Sequence, residues 1–179
     1  MSGGRDSGGN GWGPWIRDVP DFPSVGILFR DLTPLWSDAE AFGRAIDALA
    51  APFRGEVIDK VVGIEARGFI FGAAVARALS AGFVPARKPG KLPRERHRVD
   101  YALEYGSDAL EIHVDALAAG ERVLLIDDVL ATGGTARAAA DLVRVCGGDL
   151  AGIGFFLELT ALNGRERLAL ERIESVVRL

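Results

Sequence analysis

A single cysteine, Cys146, leaves this chain no internal disulfide and no cysteine-rich zinc site. Its setting in an apolar helical stretch points to packing rather than redox chemistry. No apolar run approaches the roughly 18 residues that span a bilayer, and the N-terminus lacks the basic start and apolar stretch of a secretory signal. A cytoplasmic location without a membrane partner is the expectation. Positive charge is not in excess either: 21 Lys and Arg stand against 25 Asp and Glu, a net charge of -4. Nucleic acid is therefore not an expected partner, and any anion site must be local. No internal repeat is evident. The only Gly-Lys pair, Gly90-Lys91, is followed by Leu92 rather than Ser or Thr, so there is no Walker A loop. Gly152-x-Gly154 lacks the third glycine of a dinucleotide fingerprint.

What is present suits one globular domain: 179 residues, 49% hydrophobic and 26% charged. Residues 1–14 (MSGGRDSGGNGWGP) are dominated by Gly, Ser and Asn and read as a flexible tail ahead of a domain over 15–179. Pro20, Pro23 and Pro34 then forbid a continuous helix and favour an extended, looping entry segment. Ser37 and Glu40 form a capping box that predicts a helix over roughly 38–51. Beyond it strand and helix patterns alternate, which predicts an α/β fold with an open, mainly parallel sheet flanked by helices. The apolar block Val123–Ile126 suits a central strand buried on both faces, and Gly147 and Gly148 end the helix that follows it. Residues 89–108 are polar with little periodicity and read as a long functional loop.

The stretch VLLIDDVLATGGTA, residues 123–136, carries the most chemistry. It reads as a buried strand, an acidic pair, a short turn and a glycine-rich loop opening a helix. In open α/β sheets the ligand crevice lies beyond the carboxyl ends of the strands, where Asp127 and Asp128 fall. Thr132, Gly133, Gly134 and Thr135 supply hydroxyls and exposed N–H groups at a helix N-terminus, which suit a phosphate dianion. The aspartates, as acceptors, suit sugar hydroxyls instead. A tight turn with solvated aspartates is the bland alternative for ATGGT alone. Glu65-Ala66-Arg67-Gly68 likewise follows a strand and opens a helix, so its N–H groups and Arg67 can meet a second anion. RKPGKLPRERHR, residues 87–98, concentrates six Lys or Arg in an otherwise acidic chain; a solvated charge run is its ordinary explanation.

The 123–136 stretch resembles the signature with which type I phosphoribosyltransferases bind phosphoribosyl pyrophosphate (PRPP). PDFPSVGILFRDLTPL (20–35), GIEARGFIFG (63–72), RKPGKLP (87–93) and LEYG (103–106) are similar to the adenine-specific branch of that family, in the same order and at similar spacing. The resemblance implies a type I phosphoribosyltransferase fold with a small N-terminal hood and a mobile active-site loop. It implies that adenine and PRPP become AMP and pyrophosphate. Asp127 and Asp128 would bond the ribose hydroxyls, while Ala131, Thr132, Gly133, Gly134 and Thr135 wrap the 5′-phosphate. Glu65, Ala66, Arg67 and Gly68, with Arg87, Lys88 and Lys91, would bind pyrophosphate; Arg94, Arg96, His97 and Arg98 are left as loop solvation. Glu104 would exchange a proton with adenine N7, and Arg67 and Tyr105 would join it as catalytic groups, Tyr105 in the lid. Adenine would lie between Phe29 and Val129, with the backbone of Leu28 and Arg30 reading its 6-amino edge. Mg²⁺ would arrive on PRPP and need no protein ligands, and a homodimer is usual among such proteins. Two alternatives stay open: the same transfer to hypoxanthine, guanine or xanthine, and a regulator that senses PRPP without catalysis.

Overall fold

Prolines keep the N-terminal segment extended, and in the computed structural model, which describes residues 11–102, 107–169 and 171–179, it forms an antiparallel hairpin of β1 (Arg17–Pro20) and β2 (Leu28–Asp31). Two helices follow, the single-turn α1 (Thr33–Ser37) and α2 (Ala39–Ala50). The cap of α2 is Asp38 rather than the expected Ser37: the Asp38 carboxylate accepts the Ala41 N–H at 2.8 Å. Ser37 is spent on the preceding turn, its hydroxyl donating to the Pro34 carbonyl. The expected tail also ends earlier than residue 14. Trp12 is buried, 7% exposed, edge-on to Phe156 with centroids 5.2 Å apart and covered by the Arg44 guanidinium. One large aromatic side chain thus anchors the described residues 11–14, which composition alone assigned to a flexible tail.

The α/β part begins with β3 (Lys60–Ile64), α3 (Gly68–Ala78) and β4 (Gly82–Ala86). Next comes a second antiparallel hairpin, β5 (Arg96–Ala102) and β6 (Ser107–His113), in the region expected to be one long loop. The correction has a simple cause. Val99 and Tyr101 alternate with Arg98 and Asp100, a strand period, and across the hairpin Leu110, paired with Val99, and Ile112, paired with His97, are fully buried. The charges that suggested solvated loop lie on the other face.

The chain closes with β7 (Arg122–Leu130), α4 (Gly134–Val145), β8 (Asp149–Glu158) and β9 (Ile173–Arg178). Five strands form one parallel sheet in the order β4-β3-β7-β8-β9. As expected, β7 is buried on both faces: Val123 and Leu125 pack into the cluster built with α4, Leu124 and Ile126 into that built with α2 and α3. Gly147, at φ +83°, ends α4, and the Gly148 N–H bonds back to the Val143 carbonyl at 2.9 Å. Cys146 caps that helix, half-buried, and burial raises its thiol pKa. No helix among the described residues is long and apolar enough to cross a membrane.

Candidate active site

In the sheet, β3 leads outward to β4 on one side while β7, β8 and β9 progress on the other, so the winding reverses between β3 and β7. Ligand crevices of open α/β sheets form at such a point, outside the carboxyl ends of the strands. Glu65–Arg67 leave β3 there and Asp127–Thr135 leave β7. The two segments are pressed together because residue 68 has no side chain: a Cβ on Gly68 would fall 2.7 Å from Asp127 Oδ1 and 3.0 Å from the Ile126 carbonyl. The Glu65-Ala66 peptide bond is cis.

That approach brings Arg67 to the acidic pair. Arg67 Nε lies 2.8 Å from Asp128 Oδ2. The angle is too poor for a hydrogen bond, so the contact is an ion pair rather than an aligned bond. Burial, reinforced by the adjacent Asp128 charge, pushes the Asp127 carboxyl well above the usual carboxylate range. Burial also raises Asp128, opposed by Arg67. The expected turn after the aspartates is absent: β7 continues through Val129 to Leu130, and the loop proper starts at Ala131.

Ala131, Thr132, Gly133, Gly134 and Thr135, with Asp127, line a pocket of about 80 Å³ at the start of α4. Gly133 has φ +81°, and a Cβ there would meet the Gly164 carbonyl oxygen at 2.5 Å. Two constraints therefore require glycine at that position. The loop is braced from behind by the turn at Gly164.

On the other flank the cations converge on one carboxylate. Glu65 accepts from Arg87 Nε at 3.0 Å, the Lys88 N–H at 2.8 Å and Lys91 Nζ at 2.5 Å. Burial works to raise its pKa, but these three donors outweigh it and hold the carboxyl at about 2. The Lys88 ammonium turns elsewhere, to Asp108 and to the Tyr101 hydroxyl at 2.8 Å. Tyr101 in turn lies 3.4 Å from the Thr135 hydroxyl, linking this flank to the glycine-rich loop.

All four residues expected to hold the base, Leu28, Phe29, Arg30 and Val129, line one cavity of about 540 Å³. It adjoins the pocket at the start of α4 through the shared residues Val129 and Ala131. The Arg67 guanidinium lies 5.0 Å from the Phe29 ring centroid, and Phe22 meets that ring edge-on. The Arg30 side chain is engaged with Asp18. Sequence reasoning missed Leu159, Ala161, Leu162 and Leu179, which line the same cavity with Gly26 and Ile27. Leu159 follows the carboxyl end of β8, so the crevice rule that located the aspartates also points to it. Leu179 is held by its carbonyl, which accepts from the Thr160 N–H at 2.8 Å and hydroxyl at 2.6 Å.

Two expected groups, Glu104 and Tyr105, lie outside the described residues. The residues expected only to solvate a loop are partly engaged: Arg96 Nε is 3.0 Å from the buried Glu111 carboxylate, and Arg94 is 3.0 Å from Asp115.

Comparison with known proteins bears on this arrangement. Residues 37–168 match the phosphoribosyl transferase domain family. The chain is 59% identical to an adenine phosphoribosyltransferase of Myxococcus xanthus over 162 residues, 90% of this chain and 88% of the relative. Its fold superimposes on the crystal structure of adenine phosphoribosyltransferase from Rhodothermus marinus with a TM-score of 0.89 and 51% identity, covering 93% and 95% of the two chains. The corresponding enzyme of Giardia lamblia, crystallised with 9-deazaadenine, gives a TM-score of 0.88 at 40% identity, covering 93% and 94%.

Proposed function

Since the chain belongs to the adenine phosphoribosyltransferases of the phosphoribosyl transferase domain family, we propose that it transfers the phosphoribosyl group of PRPP to adenine, giving AMP and pyrophosphate in purine salvage. One observation carries the reading: a phosphate-sized pocket, an acidic pair and an apolar cavity with room for a purine adjoin at one topological switch point.

Each group then takes a role that its chemistry suits. Ala131 to Thr135 enclose the 5′-phosphate with N–H groups and hydroxyls. Asp127 and Asp128 accept bonds from the ribose 2′ and 3′ hydroxyls. Arg67, with the loop Glu65-Ala66-Arg67-Gly68, and the cations Arg87, Lys88 and Lys91 receive the pyrophosphate as its bond to the anomeric carbon breaks. For this Arg87 and Lys91 exchange the Glu65 carboxylate for pyrophosphate oxygens. Adenine N9 bonds to the anomeric carbon while Glu104 takes the proton from N7. The segment of β5 and β6 acts as a lid that excludes water when it closes over the site, and Tyr105 takes part in that role.

Mg²⁺ is proposed to enter on PRPP oxygens, where it neutralises pyrophosphate charge. The crowded Asp127–Asp128 pair fits a nearby cation, because burial of both carboxyls and the Asp128 charge beside Asp127 leave it short of compensating charge. The reading also includes a homodimer in the cytoplasm, for which light scattering of the purified protein is the check.

The decisive test is kcat/KM for adenine, hypoxanthine, guanine and xanthine with saturating Mg²⁺–PRPP. Adenine presents a 6-amino donor and an N1 acceptor, the reverse of the 6-oxo bases, and a site paired to one pattern rejects the other by roughly 10⁴–10⁵-fold. Hypoxanthine within tenfold of adenine overturns the base assignment. PRPP binding without any AMP formation favours a regulator.

A further inference from the structure

We infer that Glu111 is a positioning residue that holds the cation segment 87–91 in register with the pyrophosphate loop, acting through that segment's backbone without touching substrate. The inference rests on the reading of Arg87, Lys88 and Lys91 as pyrophosphate ligands.

Glu111 lies on β6 and is 1% exposed. Its main chain pairs with Arg87 in both directions, Arg87 N–H to the Glu111 carbonyl at 2.9 Å and Glu111 N–H to the Arg87 carbonyl at 2.8 Å. Its side chain grips the same segment further on: Oε2 accepts the Gly90 N–H at 3.1 Å. Gly90 has φ +77°, so the chain turns sharply there and presents that N–H inward. One residue thus clamps both sides of the turn. From this platform Arg87, the Lys88 N–H and Lys91 all reach Glu65.

A buried carboxylate persists only when charge and hydrogen bonds compensate it. Here Arg96 stands 3.0 Å from Oε2 and Arg98 4.0 Å from Oε1. Both arginines come from β5, so the compensation ties the hairpin to the cation segment. Truncating Glu111 leaves the Gly90 N–H without its acceptor and frees the turn, so binding pyrophosphate must then order a segment that is now ordered in advance. Among the described residues, no member of this cluster lines the base cavity. The effect should therefore fall on pyrophosphate and PRPP and spare adenine.

Glu111→Ala, Glu111→Asp and Glu111→Gln test this, with Lys91→Ala as reference. Pyrophosphate affinity is measured calorimetrically with Mg²⁺ present, alongside KM for adenine and thermal melts. Asp keeps the charge but withdraws it one methylene from Gly90, whereas Gln keeps the reach. Ala and Asp should weaken pyrophosphate binding roughly tenfold and Gln less than about threefold, with KM for adenine unchanged. If Ala does not fold, the contrast of Asp with Gln decides. Native pyrophosphate affinity in Ala and Asp, with Lys91→Ala impaired, overturns the positioning role, as does an equal loss for pyrophosphate and adenine. Native affinity in Lys91→Ala overturns the pyrophosphate reading and the inference with it.

Discussion

Gly164 belongs to no binding motif, yet the structure makes it a support of the phosphate loop. It opens a 3₁₀ turn (Gly164–Leu168), and a Cβ there would fall 2.2 Å from the Ala131 carbonyl oxygen and 2.9 Å from Leu130 Cδ1. The nearest obstacle is backbone, about 1 Å too close for ordinary contact, so no side-chain rotation relieves it. Gly164→Ala must therefore push Ala131 and the loop, and such overpacking costs roughly 1–3 kcal/mol. Borne by the loop alone, that is roughly a 5- to 150-fold loss in PRPP affinity. Borne by the fold, it lowers Tm by roughly 2–4 °C per kcal/mol in a domain of this size. Gly133→Ala meets the Gly164 carbonyl across the same gap and adds the αL penalty of a side chain, roughly 1–2 kcal/mol, so it should be worse. The double variant should cost less than the sum, because either methyl group alone already forces the loop and the Gly164 turn apart. PRPP titration, KM for adenine and thermal melts on the three variants measure these quantities. Unchanged PRPP affinity and Tm in Gly164→Ala would refute the reasoning.

Asp127→Asn should stabilise the ligand-free protein at pH 7 while weakening PRPP binding by roughly 1.5–3 kcal/mol. A carboxyl whose folded pKa is raised binds a proton that the unfolded chain releases, so its ionisation penalises the fold as pH rises past the ordinary range; a Tm gain absent at pH 7 contradicts this. Glu65 has the opposite sign. With a folded pKa of about 2 against an ordinary 4.5, it contributes stability above about pH 4.5 that is lost as pH falls toward 2. The Tm difference between native protein and Glu65→Gln should close over that window, and a difference independent of pH shows the ion cluster to be unimportant. Trp12→Ala should cost roughly 3–5 kcal/mol as a buried aromatic truncation, lowering Tm by roughly 10 °C. A shift below about 2 °C means that the contact with Phe156 contributes little.

The phosphate loop was legible because its chemistry is local: buried strand, acidic pair and glycine-rich helix start lie within fourteen consecutive residues, 123–136. The alternation of strands and helices was legible for the same reason, since burial on both faces of β7 shows as an unbroken apolar block. The β5–β6 hairpin was hidden because Arg96, Arg98 and Asp100 dominate its composition while only its inward face carries the strand period. Trp12 was hidden because composition averages over a segment, whereas a single ring decides whether it packs.

By itself, then, the sequence determined the fold class and the acidic pair and glycine-rich loop that end β7, each through interactions between near neighbours in the chain, while Leu28, Phe29, Arg30 and Val129 were singled out by family resemblance. Tertiary structure alone decided how those pieces meet. Gly68 lets β3's loop reach Asp127, Gly164 braces a loop some thirty residues before it, Leu159 and Leu179 close the base cavity, and Glu111 clamps a turn that begins twenty-four residues earlier at Arg87. Close approach and burial of this kind depend on which surfaces the folded chain brings into contact, and residue spacing along a strand or helix carries no record of that.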